Sequence, residues 1–244
     1  MTRRVLVTRT AEDCRHLQEL VVGSDLQIEP WPVLRFEPVE SAKEWRRAVE
    51  ALAVAHDGEQ EPWLLLASPR APQPLCDQAP RHGGEPILGL PVAAVGRTTA
   101  RAAAQAGMRV ALTGPGTGDG LAAELVARLE APALFIFACG IDHRRELPDA
   151  LRGAGHAVIE LQVYRLDRIP PSALPMPAEE ISAVVLTSPR STRYYVENLG
   201  GRPLDCPHIA LGPTTRDAAR ALGIECRIPA YPEMEALAEE LCTI

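Results

Sequence analysis

The sequence holds a single lysine, Lys43, so 24 of its 25 cationic side chains are arginines. A Schiff-base mechanism would have only that ammonium group, which sits in the polar, helix-like stretch SAKEWRRAVEAL. Fixed arginine forks are left to hold carboxylates or phosphates. Aromatic residues are few, at 4% against 46% hydrophobic residues, yet 244 residues suffice to bury one large core or two smaller ones. No apolar run approaches the length of a membrane span, and MTRRVLVTRT lacks the apolar segment of a signal peptide, so a cytoplasmic protein with no membrane partner is expected. The six cysteines form no C-x-x-C pair, and the six histidines form neither an i, i+4 pair nor H-E-x-x-H. No disulfide framework and no metal site is expected. The net charge of −7 argues against a nucleic-acid partner. Also missing are G-x-G-x-x-G after a strand, a Walker A motif and G-x-S-x-G, and with them the usual machinery of hydride transfer, nucleotide hydrolysis and serine hydrolases. GPGTGDGL, from Gly114, lacks the Gly-Lys-Ser/Thr ending of a phosphate loop and reads as a loop capping the next helix.

What is present is a duplication. WLLLASPRAPQPL (Trp63 to Leu75) aligns with AVVLTSPRSTRYYV (Ala183 to Val196). PVAAVGRTTARAAAQAGMRV (Pro91 to Val110) aligns with PHIALGPTTRDAARALGIEC (Pro207 to Cys226), in the same order and at similar spacing. Each copy reads as strand, Ser/Thr-bearing turn, helix, strand, Gly-x-Thr-Thr turn and helix. That is the pattern of an α/β protein with doubly wound parallel sheets, whose ligands sit at the carboxyl ends of the strands. RVLVTR (Arg4 to Arg9) and ALFIFACG (Ala133 to Gly140) supply a further strand to each copy. The opening strand of one copy stands at the amino end while its repeat units stand at the carboxyl end, so one lobe is expected to be inserted in the other. Lobe 1 takes 1–34 and 172–244, lobe 2 takes 40–160, and the Pro-containing segments 35–39 and 161–171 form a two-stranded linker.

Candidate ligand-holding residues follow from the strand ends. Thr8, Ser68, Thr98, Thr99, Ser188, Thr214 and Thr215 all stand there, joined by Ser191, Gly140, Arg9, Arg70, Arg97 and Arg190. A Thr-Thr pair opening a helix is an ordinary N-cap or, with its hydroxyls and free N–H groups, an anion site. Pro72 and Pro74 are expected to interrupt the helix after Ser68 and remodel that turn. Tyr164 lies in the second crossing; packing and proton donation are equally compatible with its position. Tyr194 and Tyr195 are read as packing or surface residues.

In VLVTR, ASPR, LTSPRS, AVGRTTARAAAQAG, FACGIDHRRELPDALRGAG with VYR beyond it, and IALGPTTRDAARALG, taken in order, the chain resembles the uroporphyrinogen-III synthase family over nearly its whole length. The resemblance implies two lobes of parallel sheet and helix with a flexible two-stranded link. It implies one small-molecule partner, the linear tetrapyrrole hydroxymethylbilane with its eight carboxylates, and no cofactor. The implied reaction is loss of water, inversion of the fourth pyrrole ring through a spiro intermediate, and closure to uroporphyrinogen III. By the same resemblance Tyr164 is the candidate acid, and Thr214 and Thr215 lead the substrate contacts. A monomer is expected. The competing expectation is a non-catalytic, two-lobed sensor of tetrapyrroles or other polyanions, motivated by the Pro-disrupted first unit.

Overall fold

Every apolar run that alternates along the sequence with a helical pattern becomes a strand in the computed structural model, which describes residues 2–57, 60–177, 180–231 and 233–244. In chain order the elements are β1 (Arg3–Val7), α1 (Ala11–Leu20), β2 (Leu26–Pro30), β3 (Leu34–Pro38), α2 (Ala42–Asp57), β4 (Pro62–Leu66), α3 (Pro72–Gln78), α4 (Glu85–Leu88), β5 (Val92–Ala94), α5 (Arg97–Gln105), β6 (Val110–Thr113) and α6 (Gly118–Arg128). There follow β7 (Leu134–Gly140), α7 (Glu146–Gly153), β8 (Ala157–Arg168), β9 (Ala183–Leu186), α8 (Pro189–Asn198), β10 (His208–Ala210), α9 (Pro213–Arg220), β11 (Cys226–Arg227) and α10 (Met234–Cys242). The chain divides into two compact units, Met1–Arg35 with Asp167–Ile244, and Phe36–Leu166. Segments 35–39 and 161–171, expected as linkers, fall largely within β3 and β8, which lie side by side in the six-stranded sheet.

The first unit carries a parallel sheet in the order β11-β10-β9-β1-β2. The second carries the order β3-β8-β7-β4-β5-β6, parallel from β8 to β6. Matching the repeats, β11-β10-β9-β1-β2 corresponds place for place to β6-β5-β4-β7-β8, so the duplicated sequence makes the same sheet twice from a different starting strand. Alternation along each strand then decides which side is packed. In the second unit Leu64, Leu66, Ile136 and Ala138 join one core with Trp45 and Leu75, while Trp63, Leu65, Phe135 and Phe137 join another with Leu121 and Leu151. In the first unit Val5, Val7 and Val185 face α1 and α10, while Leu6, Val184 and Leu186 face Tyr195 on α8 and Ala219 on α9.

Pro72 and Pro74 do not interrupt a helix, contrary to expectation. Both fall in the first turn of α3, where backbone N–H groups have no intrahelical partner to lose. The helix starts three residues later after Ser68 than α8 does after Ser188, and ends at Gln78. Its side-chain amide bonds the buried Trp45 indole at 3.1 Å and the backbone carbonyls of Val39 and Val163 at 2.9 and 3.3 Å.

Tyr195 makes a second buried polar chain in the first unit. Its hydroxyl accepts from the Leu204 N–H at 2.9 Å and lies 2.9 Å from His208 Nε2. Burial holds His208 below its ordinary value of 6.5, against a backbone hydrogen bond to Cys206 that works the other way. Below about pH 6.5 the unfolded chain therefore takes up a proton that the folded imidazole resists, and stability falls with pH until the folded value is passed. Urea midpoints between pH 7.5 and 5.5 should fall more steeply for the wild type than for His208→Gln; equal slopes would contradict this account.

Candidate active site

Strand order in the second unit reverses direction between β4 and β7, because β5 and β6 continue to one side and β8 to the other. At such a reversal the loops leaving the carboxyl ends diverge and open a crevice. A cavity of about 470 Å³ lies there, lined by Ser68 after β4, Gly140 at the end of β7, Tyr164 on β8, and Thr117, His143 and Arg144 from the loops.

The register of β7 against β8 explains how Tyr164 reaches it. Cys139 pairs with Gln162 but Gly140 pairs with Tyr164, so Val163 is an extra residue and β8 carries a bulge. Three carbonyls around the bulge have partners. The Val163 carbonyl accepts from Val39 N–H at 3.0 Å and from the Gln78 amide, and the Tyr164 carbonyl accepts from Ile141 N–H at 2.9 Å. The Gly140 carbonyl accepts from His143 N–H at 3.2 Å and lies 3.0 Å from His143 Nδ1.

Tyr164 then packs the hydroxyl end of its ring against the bare Cα of Gly140. A β-carbon at 140 would stand 2.6 Å from Cε2, 2.8 Å from Cζ and 3.1 Å from the hydroxyl. Phe36 covers the ring from the β3 side at a centroid distance of 5.3 Å. Burial pushes the phenol up, and this outweighs the Ser68 hydrogen bond and the Arg70 charge, which favour the ionised form. Tyr164 is therefore fully protonated at neutral pH, with its hydroxyl on Ser68. Ser68 Oγ in turn takes the Arg70 N–H at 3.2 Å. The first Ser-Pro-Arg turn is thus built around the tyrosine.

In the first unit the corresponding reversal lies between β1 and β9, and hydroxyls fill it. Thr8 is buried and its Oγ1 lies 3.2 Å from the Val185 carbonyl, 3.3 Å from Thr187 Oγ1 and 3.4 Å from Ser191 Oγ. Ser188 caps α8 and exchanges bonds with Ser191 in a capping box. The hydroxyls of Thr8 and Ser191 are therefore turned inward and bonded within the turn; Ser188 is half-buried beside them. Arg190 and Arg193 both hydrogen-bond the Tyr194 phenol and, with Arg168, surround its ring at 5.1–5.9 Å. Arg9 is half-buried in the turn after β1.

The two Thr-Thr pairs divide in the same way. Gly96 and Gly212 are the N-caps, so Thr98 and Thr214 stand at the second helical position and are exposed, whereas Thr99 and Thr215 stand at the third and are buried. The side chains of Thr99 and Thr215 are buried under the first turns of α5 and α9. Neither Thr98 nor Thr99 lines the cavity. Sequence reasoning missed His143, Thr187 and Gln78. Only His143 had a local signal, three residues beyond Gly140 in a turn leaving a strand. Among the described residues no group of His, Cys, Asp and Glu could hold a metal ion, and no helix is long and apolar enough to cross a membrane.

Comparison with known proteins gives one family. The family model described as uroporphyrinogen-III synthase HemD matches residues 16–239. A mutant uroporphyrinogen III synthase from the extremely thermophilic bacterium Thermus thermophilus is similar at a TM-score of 0.62 and 19% identity, over 99% of this chain and 98% of that one. Uroporphyrinogen-III synthetase from Helicobacter pylori is similar at 0.68 and 17%, with the same coverage. At these identities the structures show a shared mixed α/β fold with parallel sheets. No curated protein sequence matches the chain.

Gly140→Ala puts a methyl group where the Tyr164 ring lies. Among the four tyrosines, the ring resonances of Tyr164 should shift in the NMR spectrum while those of Tyr195 stay in place; unchanged Tyr164 resonances would contradict the contact.

Proposed function

The chain belongs to the uroporphyrinogen-III synthase family, and from that membership we propose how it turns hydroxymethylbilane into uroporphyrinogen III with its own side chains. The observation that carries the mechanism is the Tyr164 hydroxyl, kept protonated by burial, held by Ser68 and directed at the cavity beyond β4 and β7. Loss of water from the terminal hydroxymethyl group needs a proton on the departing oxygen, and Tyr164 supplies it. The carbon–oxygen bond breaks as water leaves, with the electron-rich pyrrole stabilising the cation. The fourth ring then attacks through its substituted carbon to give the spiro intermediate; the old bond from that carbon to the bridge from the third ring breaks, the freed bridge carbon joins the ring's other α-carbon, and the proton lost there restores the aromatic pyrrole. Closure without the enzyme gives the unrotated isomer, so the protein's main work is conformational: it holds the chain where only inversion leads to product.

The eight carboxylates are taken by donors that need no metal. Thr98 and Thr214, exposed in the first turns of α5 and α9, present hydroxyls and free N–H groups at the positive helix ends. Arg9, Arg70 and Arg190 stand at the turns that follow β1, β4 and β9. Two lobes, one inserted in the other and linked through segments 35–39 and 161–171, suit a substrate too long for a closed pocket. We take the working form to be a cytoplasmic monomer. The reading as a polyanion sensor loses its motivation, since the first Ser-Pro-Arg unit, though its helix starts later, brings Ser68 onto the tyrosine.

A coupled assay tests the function. With hydroxymethylbilane generated in situ, oxidised and separated by isomer, the products should shift strongly to type III when the protein is added. Type I alone, as in its absence, would overturn the proposal.

A further inference from the structure

The Gly140 carbonyl lies beyond the last β4–β7 pair, Leu66 with Ala138, and His143 is the residue that satisfies it, with its backbone N–H at 3.2 Å and its Nδ1 at 3.0 Å. The backbone N–H already pairs this oxygen, and the Nδ1 bond adds a second tie that runs from the Gly140 peptide to the imidazole. Because a carbonyl only accepts, Nδ1 is the nitrogen that carries hydrogen toward it, at 3.0 Å. The imidazole is fixed on its other sides as well. Its ring stands edge-on to Phe137 at 5.3 Å and 90°. Its Nε2 is buried without a hydrogen-bond partner among the described residues, and a carboxylate oxygen of Glu160 lies 3.5 Å away, in ion-pair reach but out of line for a hydrogen bond. Burial pushes Glu160 up, but the Arg152 hydrogen bond at 2.8 Å, with the charges of His143, Arg152 and Arg145, outweighs burial and holds it ionised.

One glycine thus has two occupants. The His143 ring holds its carbonyl, and the Tyr164 ring lies on its Cα, where a β-carbon would come within 2.6–3.1 Å of the phenol. The plane of the Gly140 peptide is what both rings share. We propose that His143 is a positioning residue for Tyr164: by donating from Nδ1 to the Gly140 carbonyl, it sets the peptide against which the phenol rests and so the line along which the hydroxyl enters the cavity. The proposal rests on the reading of Tyr164 as the acid. His143 lines the same cavity but keeps Nε2 sealed from solvent, so it acts through the tyrosine rather than on substrate.

Steady-state turnover and KM for His143→Asn, His143→Leu, Tyr164→Phe and the double variant Tyr164→Phe with His143→Leu test this. His143→Leu should lower kcat on the order of 10-fold, by a misplaced acid, with KM changed less than about twofold. Asparagine can place an N–H where Nδ1 stood, so His143→Asn should recover most of that loss. With Tyr164 already Phe, adding His143→Leu should cost less than about twofold more, because the effect runs through the missing hydroxyl. Should His143→Leu fail to fold, His143→Gln, whose amide lies beyond the Nδ1 position, replaces it. An equal loss from His143→Leu with and without Tyr164, or His143→Asn as slow as His143→Leu, would overturn the proposal. Wild-type turnover in Tyr164→Phe would instead overturn the acid assignment on which it rests.

Discussion

The site hangs on the contact between the bare Cα of Gly140 and the hydroxyl end of the Tyr164 ring. A regular β8 would give Val163, not Tyr164, the place opposite Gly140, and strict alternation would send the tyrosine elsewhere. One extra residue changes this locally, and the carbonyls around it are held: Gln78 and Val39 on Val163, Ile141 on Tyr164, His143 on Gly140. Those partners come from α3, β3 and the loop after β7, so most of the second unit converges on the aim of a single phenol. That bulged geometry also explains why burial raises the acid rather than ionising it. The ring is enclosed by Gly140 and Phe36, and only its oxygen finds a polar neighbour.

The two units show how one duplicated sheet serves different ends. Both reverse strand order beside the Ser-Pro-Arg strand, and both therefore open a crevice there. In the second unit the first residue past β4 is Ala67, and the crevice stays open as a cavity. In the first unit Thr187 occupies that place and, with Thr8 and Ser191, closes the corner with hydrogen bonds of 3.3–3.4 Å. A strand end filled by its own hydroxyls is rigid, and the arginines of α8 around Tyr194 become its displayed chemistry. Fold repetition is thus separable from site repetition.

Much of this was legible in the sequence. Aligned Ser-Pro-Arg and Gly-x-Thr-Thr phrases show the duplication, and their order predicts parallel sheets with ligands at the strand ends. The hydrophobic runs place Thr8, Ser68, Gly140 and Ser188 at those ends. Sequence did not reveal which threonine of each pair faces outward, because that depends on whether Gly96 and Gly212, rather than a threonine, cap the helix. It misread Pro72 and Pro74 because a shift of the helix start by three residues turns a breaker into a first-turn residue. The bulge at Val163 was invisible as well: a slip of one residue changes pairing without changing the apolar pattern of VIELQVY, so the only sign of His143 was its place in the turn that leaves β7.

The measurement that tests the account most directly is the turnover of Tyr164→Phe under saturating substrate, alongside its KM. Removing the hydroxyl leaves the ring and its packing on Gly140 in place, so substrate should bind as before, with KM within about twofold, while kcat falls on the order of 10²- to 10⁴-fold, the range a positioned proton donor supplies. A phenylalanine variant that turns over as fast as the wild type would contradict it, and the acid would have to be sought elsewhere.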